Sequence, residues 1–205
     1  DTSYTGDCEY SIITEGETES LMRNLSEFDI LIREPELAEI VKKIQTLNAG
    51  KETVDSVISN DTPFGIPSNP KSSKKNPITV YEHSGKNHDT MLYHIEKLKR
   101  KVEYVDRKHI SKNSDYIDKD KVFIPGAGGS GNDPYVLGKP EYAPKNSVCS
   151  QSYLFAAFNS KIEAENFIKY LQTKFFRVLV SAIKISQSAP NRVYQFVPMQ
   201  DFTNR

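Results

Sequence analysis

The sequence predicts an α+β fold: a mixed sheet with a long C-terminal helical segment packed on it. Two observations lead there. Strand-like and helix-like segments alternate without the regular strand–helix–strand order of a parallel α/β sheet. The longest helical pattern, residues 161–184, comes late in the chain, directly after an apolar strand-like run at residues 148–158. A chain of 205 residues, 37% hydrophobic and 26% charged, can bury a real core. It reads as one domain, or one domain with an extended arm.

Residues 9–14 have strand composition and Gly16 supplies a turn, so this start reads as a β-hairpin or an edge strand. Pro35 suits the first turn of a helix in which Leu37, Ile40, Val41, Ile44 and Leu47 share a face, with Asn48 and Gly50 as a stop. Residues 59–77 concentrate Pro, Ser, Asn and Lys and predict an exposed loop, with Phe64 and Ile66 its only large apolar groups. Residues 77–85 and 99–107 alternate as strands. Between them Leu92, Ile95 and Leu98 keep helical spacing and predict a short helical insertion. Residues 121–124 predict a short strand, and residues 148–158 a single buried one. Ser160 stands three residues before Glu163, the spacing of a capping box. It opens a helix carrying Ala164, Phe167, Ile168, Leu171, Phe175, Val178, Leu179 and Ala182 on one face, with a break expected near Thr173. Phe175, Phe176, Phe196 and Tyr153 read as core. No internal repeat is seen.

The formal net charge is zero, but its distribution is uneven. Residues 1–60 carry 5 Lys and Arg against 13 Asp and Glu, a net of −8; residues 61–205 carry 22 against 14, a net of +8. A basic body with an acidic arm is compatible with a nucleic-acid face, because local potential rather than total charge decides binding. Lys97, Lys99, Arg100 and Lys101 form one basic cluster, and Lys74 and Lys75 another. Cys8 and Cys149 form no metal or disulfide pattern, and the four histidines show no paired zinc spacing. No membrane span or signal peptide is seen, which predicts a cytoplasmic protein. The chain begins at Asp1 rather than Met and stops in mid-pattern, as a piece of a longer protein would.

The loop "KVFIPGAGGSGNDPY", residues 121–135, imitates several catalytic motifs. Gly126, Gly128 and Gly131 have the spacing of a dinucleotide-binding turn. However, Gly138, Pro140 and Pro144 prevent the helix that must receive the pyrophosphate. A Walker loop fails because Asn132 and Asp133 stand where Lys and Ser or Thr are required. The segment Asn132–Tyr135 differs from the Asn-Pro-Pro-Tyr motif of amino-methylating enzymes by Asp133. What remains is a backbone that can approach a ligand closely, at Gly128, Gly129 and Ser130. A nuclease-like fragment is also present: Asp106 and Lys108 have D-x-K spacing, with Asp89 as an upstream carboxylate.

The second half carries a group of longer motifs: "KVFIPGAGGSG", "LGKP", "SVCSQSY", "TKFFRVLV" and "VYQFVPMQDF", with Ser160, Glu163, Ala164, Glu165 and Asn166 between them. Together they resemble the C-terminal target-recognition portion of bacterial adenine-specific DNA methyltransferases of Eco57I-like restriction–modification systems. "YTGDCEYSII" and, more weakly, "TPFGI" also fit. The motifs span roughly residues 121–202, and the resemblance implies a DNA-binding target-recognition domain; with the charge division it is expected at residues 61–205, and residues 1–60 as an acidic linking arm, with strand and helix, packed on it. It places the Asn-Pro-Pro-Tyr motif and the S-adenosylmethionine site in a catalytic domain upstream, so no cofactor and no catalytic residue is expected in this chain.

The partners so implied are double-stranded DNA and the methyltransferase domain of the same polypeptide. Such a domain needs phosphate contacts for register and side chains for base edges. Lys74 and Lys75 suit the first task. Ser150, Gln151 and Ser152, then Lys184, Ser186, Gln187 and Arg192, have donors and acceptors for the second. Each also has a plainer role, capping or ordering its own loop. The rival expectations are a metal-dependent nuclease using Asp89, Asp106 and Lys108, and a protein-interaction domain.

Overall fold

The computed structural model describes residues 6–24, 26–73, 77–128 and 136–204. Its regular elements are strands β1 (Asp7–Thr14) and β2 (Glu17–Asn24), helix α1 (Pro35–Leu47), and strands β3 (Thr90–Glu96), β4 (Lys99–Val105), β5 (Asp120–Pro125), β6 (Glu141–Ala143), β7 (Ser147–Cys149) and β8 (Tyr153–Phe158). Helices α2 (Lys161–Leu171) and α3 (Lys174–Ser181) follow. The fold is α+β. The hairpin β1–β2 stands alone, and two three-stranded sheets have the orders β4–β3–β7 and β6–β5–β8. β3 is antiparallel to β4 and parallel to β7, whereas β5 is antiparallel to both neighbours.

Every residue of β5 is buried. Because side chains alternate along a strand, such a strand must feed two cores. Val122 and Ile124, with Leu154, Ala156 and Phe158 of β8, join the core made with α1, α2 and α3. Phe123, Tyr153 and Phe155 point the other way, into a second core with Leu92, Val148 and Cys149 of the mixed sheet. The result is three layers: helices, antiparallel sheet, mixed sheet.

The helical layer forms for reasons written in the sequence. Ser160 Oγ accepts the Glu163 backbone N–H at 3.3 Å, the capping box that starts α2. Thr173 ends that helix and starts the next, its Oγ1 accepting from the Phe176 N–H at 3.1 Å. α1 begins at Pro35 and buries Ala38 and Val41 in the helix-side core, together with Ile32, Val54 and Ile58. Residues 28–58 therefore contribute to that core. The β1–β2 hairpin buries no described side chain, and Arg23 ties it down through the Ile32 carbonyl at 2.8 Å.

Four local expectations are corrected. Residues 90–96 are strand, not helix: Thr90, Leu92 and His94 alternate inward, and the cross-strand partner β4 decides between two periods that both fit the sequence. Residues 148–158 are two strands, because the turn at Gln151 and Ser152 carries the chain from one sheet to the other. Residues 77–85 contribute only isolated bridges, Tyr81 with Tyr104 and Gly85 with His88. The loop around residue 64 is anchored in the interior. Phe64 and Ile66 are fully buried, and Phe64 stacks on Phe155 with centroids 4.9 Å apart.

Buried polar groups fasten the mixed sheet. Glu103 accepts from Lys71 Nζ at 2.7 Å and pairs with His94 Nε2 at 2.5 Å. Burial alone would raise the Glu103 carboxyl, but the hydrogen bonds and charges of Lys71 and His94 outweigh it and hold it below its ordinary value. Lys121 is fully buried, and its Nζ donates to the carbonyls of Tyr116, Ile117 and Lys119 at 2.9, 2.9 and 2.5 Å. Burial pushes it down to about 8. One hydroxyl, that of Tyr194, is buried without a partner among the described residues.

Two outcomes are expected. A carboxyl with a depressed folded pKa contributes stability that is present above the unfolded value and is lost as pH falls through the folded one. Glu103→Gln should therefore be less stable than the parent at neutral pH, with the gap closing below about pH 4.5 in urea melts. Tyr194→Phe removes an unsatisfied hydroxyl and should leave stability unchanged or raise it by up to about 1 kcal/mol; a loss in the same melts would reveal a partner for that hydroxyl.

Candidate nucleic-acid interface

β3 and β7 run parallel, with Tyr93 beside Cys149, so their C-terminal ends point the same way. Pro125 at the end of β5 lies beside Tyr153, the first residue of β8. The ends of three strands thus meet at one edge of the two-sheet body. Loops at strand ends on a rigid scaffold are where recognition residues concentrate.

Backbone hydrogen bonds bind these loops to one another. Gly126 N–H donates to the Ser152 carbonyl at 2.9 Å, Gln151 N–H to Ile66 at 2.8 Å, and Ser150 N–H to Tyr93 at 2.9 Å. The segment 184–189 closes the other side. Gly128 N–H donates to the Gln187 carbonyl and Ala189 N–H to that of Gly126, both at 2.9 Å. Lys184 Nζ donates to the Gly128 carbonyl at 3.0 Å, and partial burial lowers its pKa. Gly128 has a φ of +156°, and a β-carbon there would stand 3.0 Å from Gly138 Cα. A β-carbon on Gly138 would in turn meet Pro125 at 2.8 Å. These glycines therefore close the neck of the loop, backbone against backbone.

The residues expected to bind DNA have different fates. Gln151 is exposed, and its Nε2 donates to Asp61 Oδ2 at 3.0 Å. Ser152 is half-buried. Ser186 and Gln187 are exposed; Ser186 Oγ accepts from the Ser188 N–H at 3.2 Å. Ser150 is a correction: it is fully buried, and its hydroxyl accepts the Ser152 N–H at 3.3 Å, which orders the turn instead of facing a ligand. Gly128 and Lys184 build the neck of the loop. Arg192 is exposed, but on a 3₁₀ turn, Asn191–Tyr194, whose Asn191 Nδ2 donates to the Asp55 and Ile58 carbonyls at 2.7 and 2.6 Å, outside this set of contacts. Lys74, Lys75, Gly129 and Ser130 lie outside the described residues.

The same edge carries a feature that sequence reasoning placed on a helix. β3 and β4 are joined by a two-residue turn, Lys97 and Leu98. Residues 97–100 are all exposed. Arg100 donates to Glu141 Oε1 at 3.1 Å and to the Lys139 carbonyl at 2.6 Å, which fixes the hairpin to the chain just past Gly138. Lys101 pairs with Glu96. Lys97, Lys99 and the exposed Lys139 have no ion-pair partner among the described residues. The alternation of apolar Met91, Tyr93 and Ile95 with polar His94 and Glu96 was the available signal, but Leu92, Ile95 and Leu98 fit a helix equally well, and Lys-Leu is not a usual hairpin turn.

A cleft of about 520 Å³ opens beside the Gln151–Asp61 contact, between residues 56–63 and Lys112, Asn113 and Tyr116, with Phe155 and Ala157 also lining it. Its walls mix aromatic and polar groups, and Asn113 Nδ2 donates to the Pro63 carbonyl at 2.6 Å across its lip.

The nuclease residues collect at the opposite end of the mixed sheet. Thr90 pairs with Val105, so Asp89 and Asp106 flank one register position. Asp106 is already engaged. It accepts the Lys108 N–H at 3.0 Å, capping a 3₁₀ turn, and pairs with Lys108 Nζ at 2.9 Å; these bonds hold its carboxyl below the ordinary value. Among the described residues no group of three or more His, Cys, Asp or Glu side chains assembles as a metal site, and no helix is long and apolar enough to cross a membrane. Comparison with protein-family models, curated proteins and solved structures returns no match. The functional reading therefore rests on the chemistry of the loop edge and on the sequence resemblance.

Proposed function

We propose that this chain is a DNA target-recognition module that positions duplex DNA for an adenine-N6 methyltransferase domain outside it. The observation that carries the reading is that Lys97, Lys99, Lys139, Gln151 and Gln187 lie exposed on the strand-end loops: backbone hydrogen bonds join the Gln151 and Gln187 loops through Gly126 and Gly128, and Arg100 ties the hairpin to the Lys139 carbonyl. Lysines without carboxylate partners are suited to phosphates, which set register. Exposed glutamines on a fixed turn are suited to base edges, where a side-chain amide can pair bidentately with adenine. The uneven charge along the chain is compatible with the same reading, because residues 61–205 carry a net of +8. S-adenosylmethionine, which the resemblance implies for the catalytic domain, does not fit the glycine stems here. Gly128 lies against Gly138, and Ser152, Gln187 and Lys184 occupy the backbone groups of Gly126 and Gly128.

Fluorescence anisotropy on mixed duplex DNA tests the reading. Affinity should fall steeply between about 50 and 200 mM salt, and replacing Lys97, Lys99 and Lys139 by Gln should reduce the logarithmic salt slope by about 0.9 for each phosphate contact removed. Magnesium should produce no cleavage. Absence of binding at low salt, or a slope unchanged by the three substitutions, would contradict the proposal.

A further inference from the structure

We propose that the β3–β4 hairpin tip is a wedge: Leu98 enters a base step of duplex DNA while Lys97 and Lys99 hold the phosphates on either side. The inference rests on the DNA-binding reading and adds a mechanism to it.

Three independent features converge on this tip. The first is strain. Lys97 and Leu98 have φ of +49° and +65°, the backbone of a turn that asparagine and glycine adopt without penalty and a leucine does not. A strained bulky residue kept at a loop tip directs attention to what its side chain does there. The second is exposure. Leu98 is 98% exposed, the highest value among the exposed large hydrophobic side chains. The third is stiffness. Tyr93 is the last residue of β3 paired with β7, so the hairpin runs about three residues, roughly 10 Å, past the end of that strand. Its base is held by Arg100 on Glu141 and the Lys139 carbonyl, by the Lys101–Glu96 pair, and by His94 on Glu103. An apolar group on a rigid arm, with unpaired cations beside it, has the parts required to unstack a base step and kink the duplex.

The charges decide the partner. Leu98 by itself offers too little apolar area to dock a protein or anchor a membrane. At a base step one aliphatic side chain is enough, because the lysines supply the rest of the affinity.

The test uses a short AT-rich duplex with 2-aminopurine at TA and CA steps, read for fluorescence and anisotropy together. The parent protein should raise 2-aminopurine fluorescence severalfold at saturation. Replacing the tip by Asn-Gly, through Lys97→Asn with Leu98→Gly, installs the preferred turn, so it should fold with an equal or higher melting temperature. That variant should still bind DNA, with a slightly weaker salt slope, and lose the fluorescence rise. Leu98→Ser should lose the rise with Lys97 in place. Binding by the parent without a rise, or a rise undiminished in either variant, would overturn the wedge and leave the recognition reading standing. No anisotropy change for the parent at low salt would overturn both.

Discussion

Strand β5 meets water on neither face, and the remaining architecture follows from satisfying both of its faces. Val122 and Ile124 require a helical layer on one side, while Phe123 requires a second sheet on the other. Lys121 lies within this strand, and its ammonium is met by three carbonyls of the preceding turn. A buried cation is tolerated only where such acceptors are already fixed, so the 116–119 turn and the strand specify one another. With β5 fixed between β6 and β8, its C-terminal end can only emerge beside the Gln151–Ser152 turn, and the glycine neck has to start there.

The chain is neutral overall, but its charges are unevenly distributed along the sequence. The β1–β2 hairpin carries Asp7, Glu9, Glu15, Glu17 and Glu19 against Arg23, while Lys97, Lys99 and Lys139 near the strand ends have no ion-pair partner among the described residues. Local distribution rather than the sum governs encounter with a polyanion. The division of labour also follows. The glycines, Ser150 and Lys184 hold the loops together, while Gln151, Gln187 and the hairpin lysines are exposed, Gln151 with its amide on Asp61.

Local signals with one interpretation were legible in the sequence. The Ser160–Glu163 box, the break at Thr173, Pro35 at the start of α1 and the turn at Gly16 each encode a short-range hydrogen bond or a backbone preference. The mixed-sheet hairpin was not legible, because residues 90–98 satisfy both periods and only the register with β4 separates them. Nor could residue chemistry alone show that Ser150 is interior and Gln151 exterior, since the turn that separates them sits within one apolar run. The close backbone contact between Gly128 and Gly138 was not legible either, because it depends on a pairing of two chain segments.

Amide hydrogen exchange of the chain with and without saturating duplex DNA tests most directly whether the strand-end edge is the binding face. Exchange should slow at residues 96–101, 126–128, 150–152 and 184–188 and remain unchanged in the β1–β2 hairpin. Slowing confined to the end that carries Asp89 and Asp106, with the strand-end loops unaffected, would contradict this account.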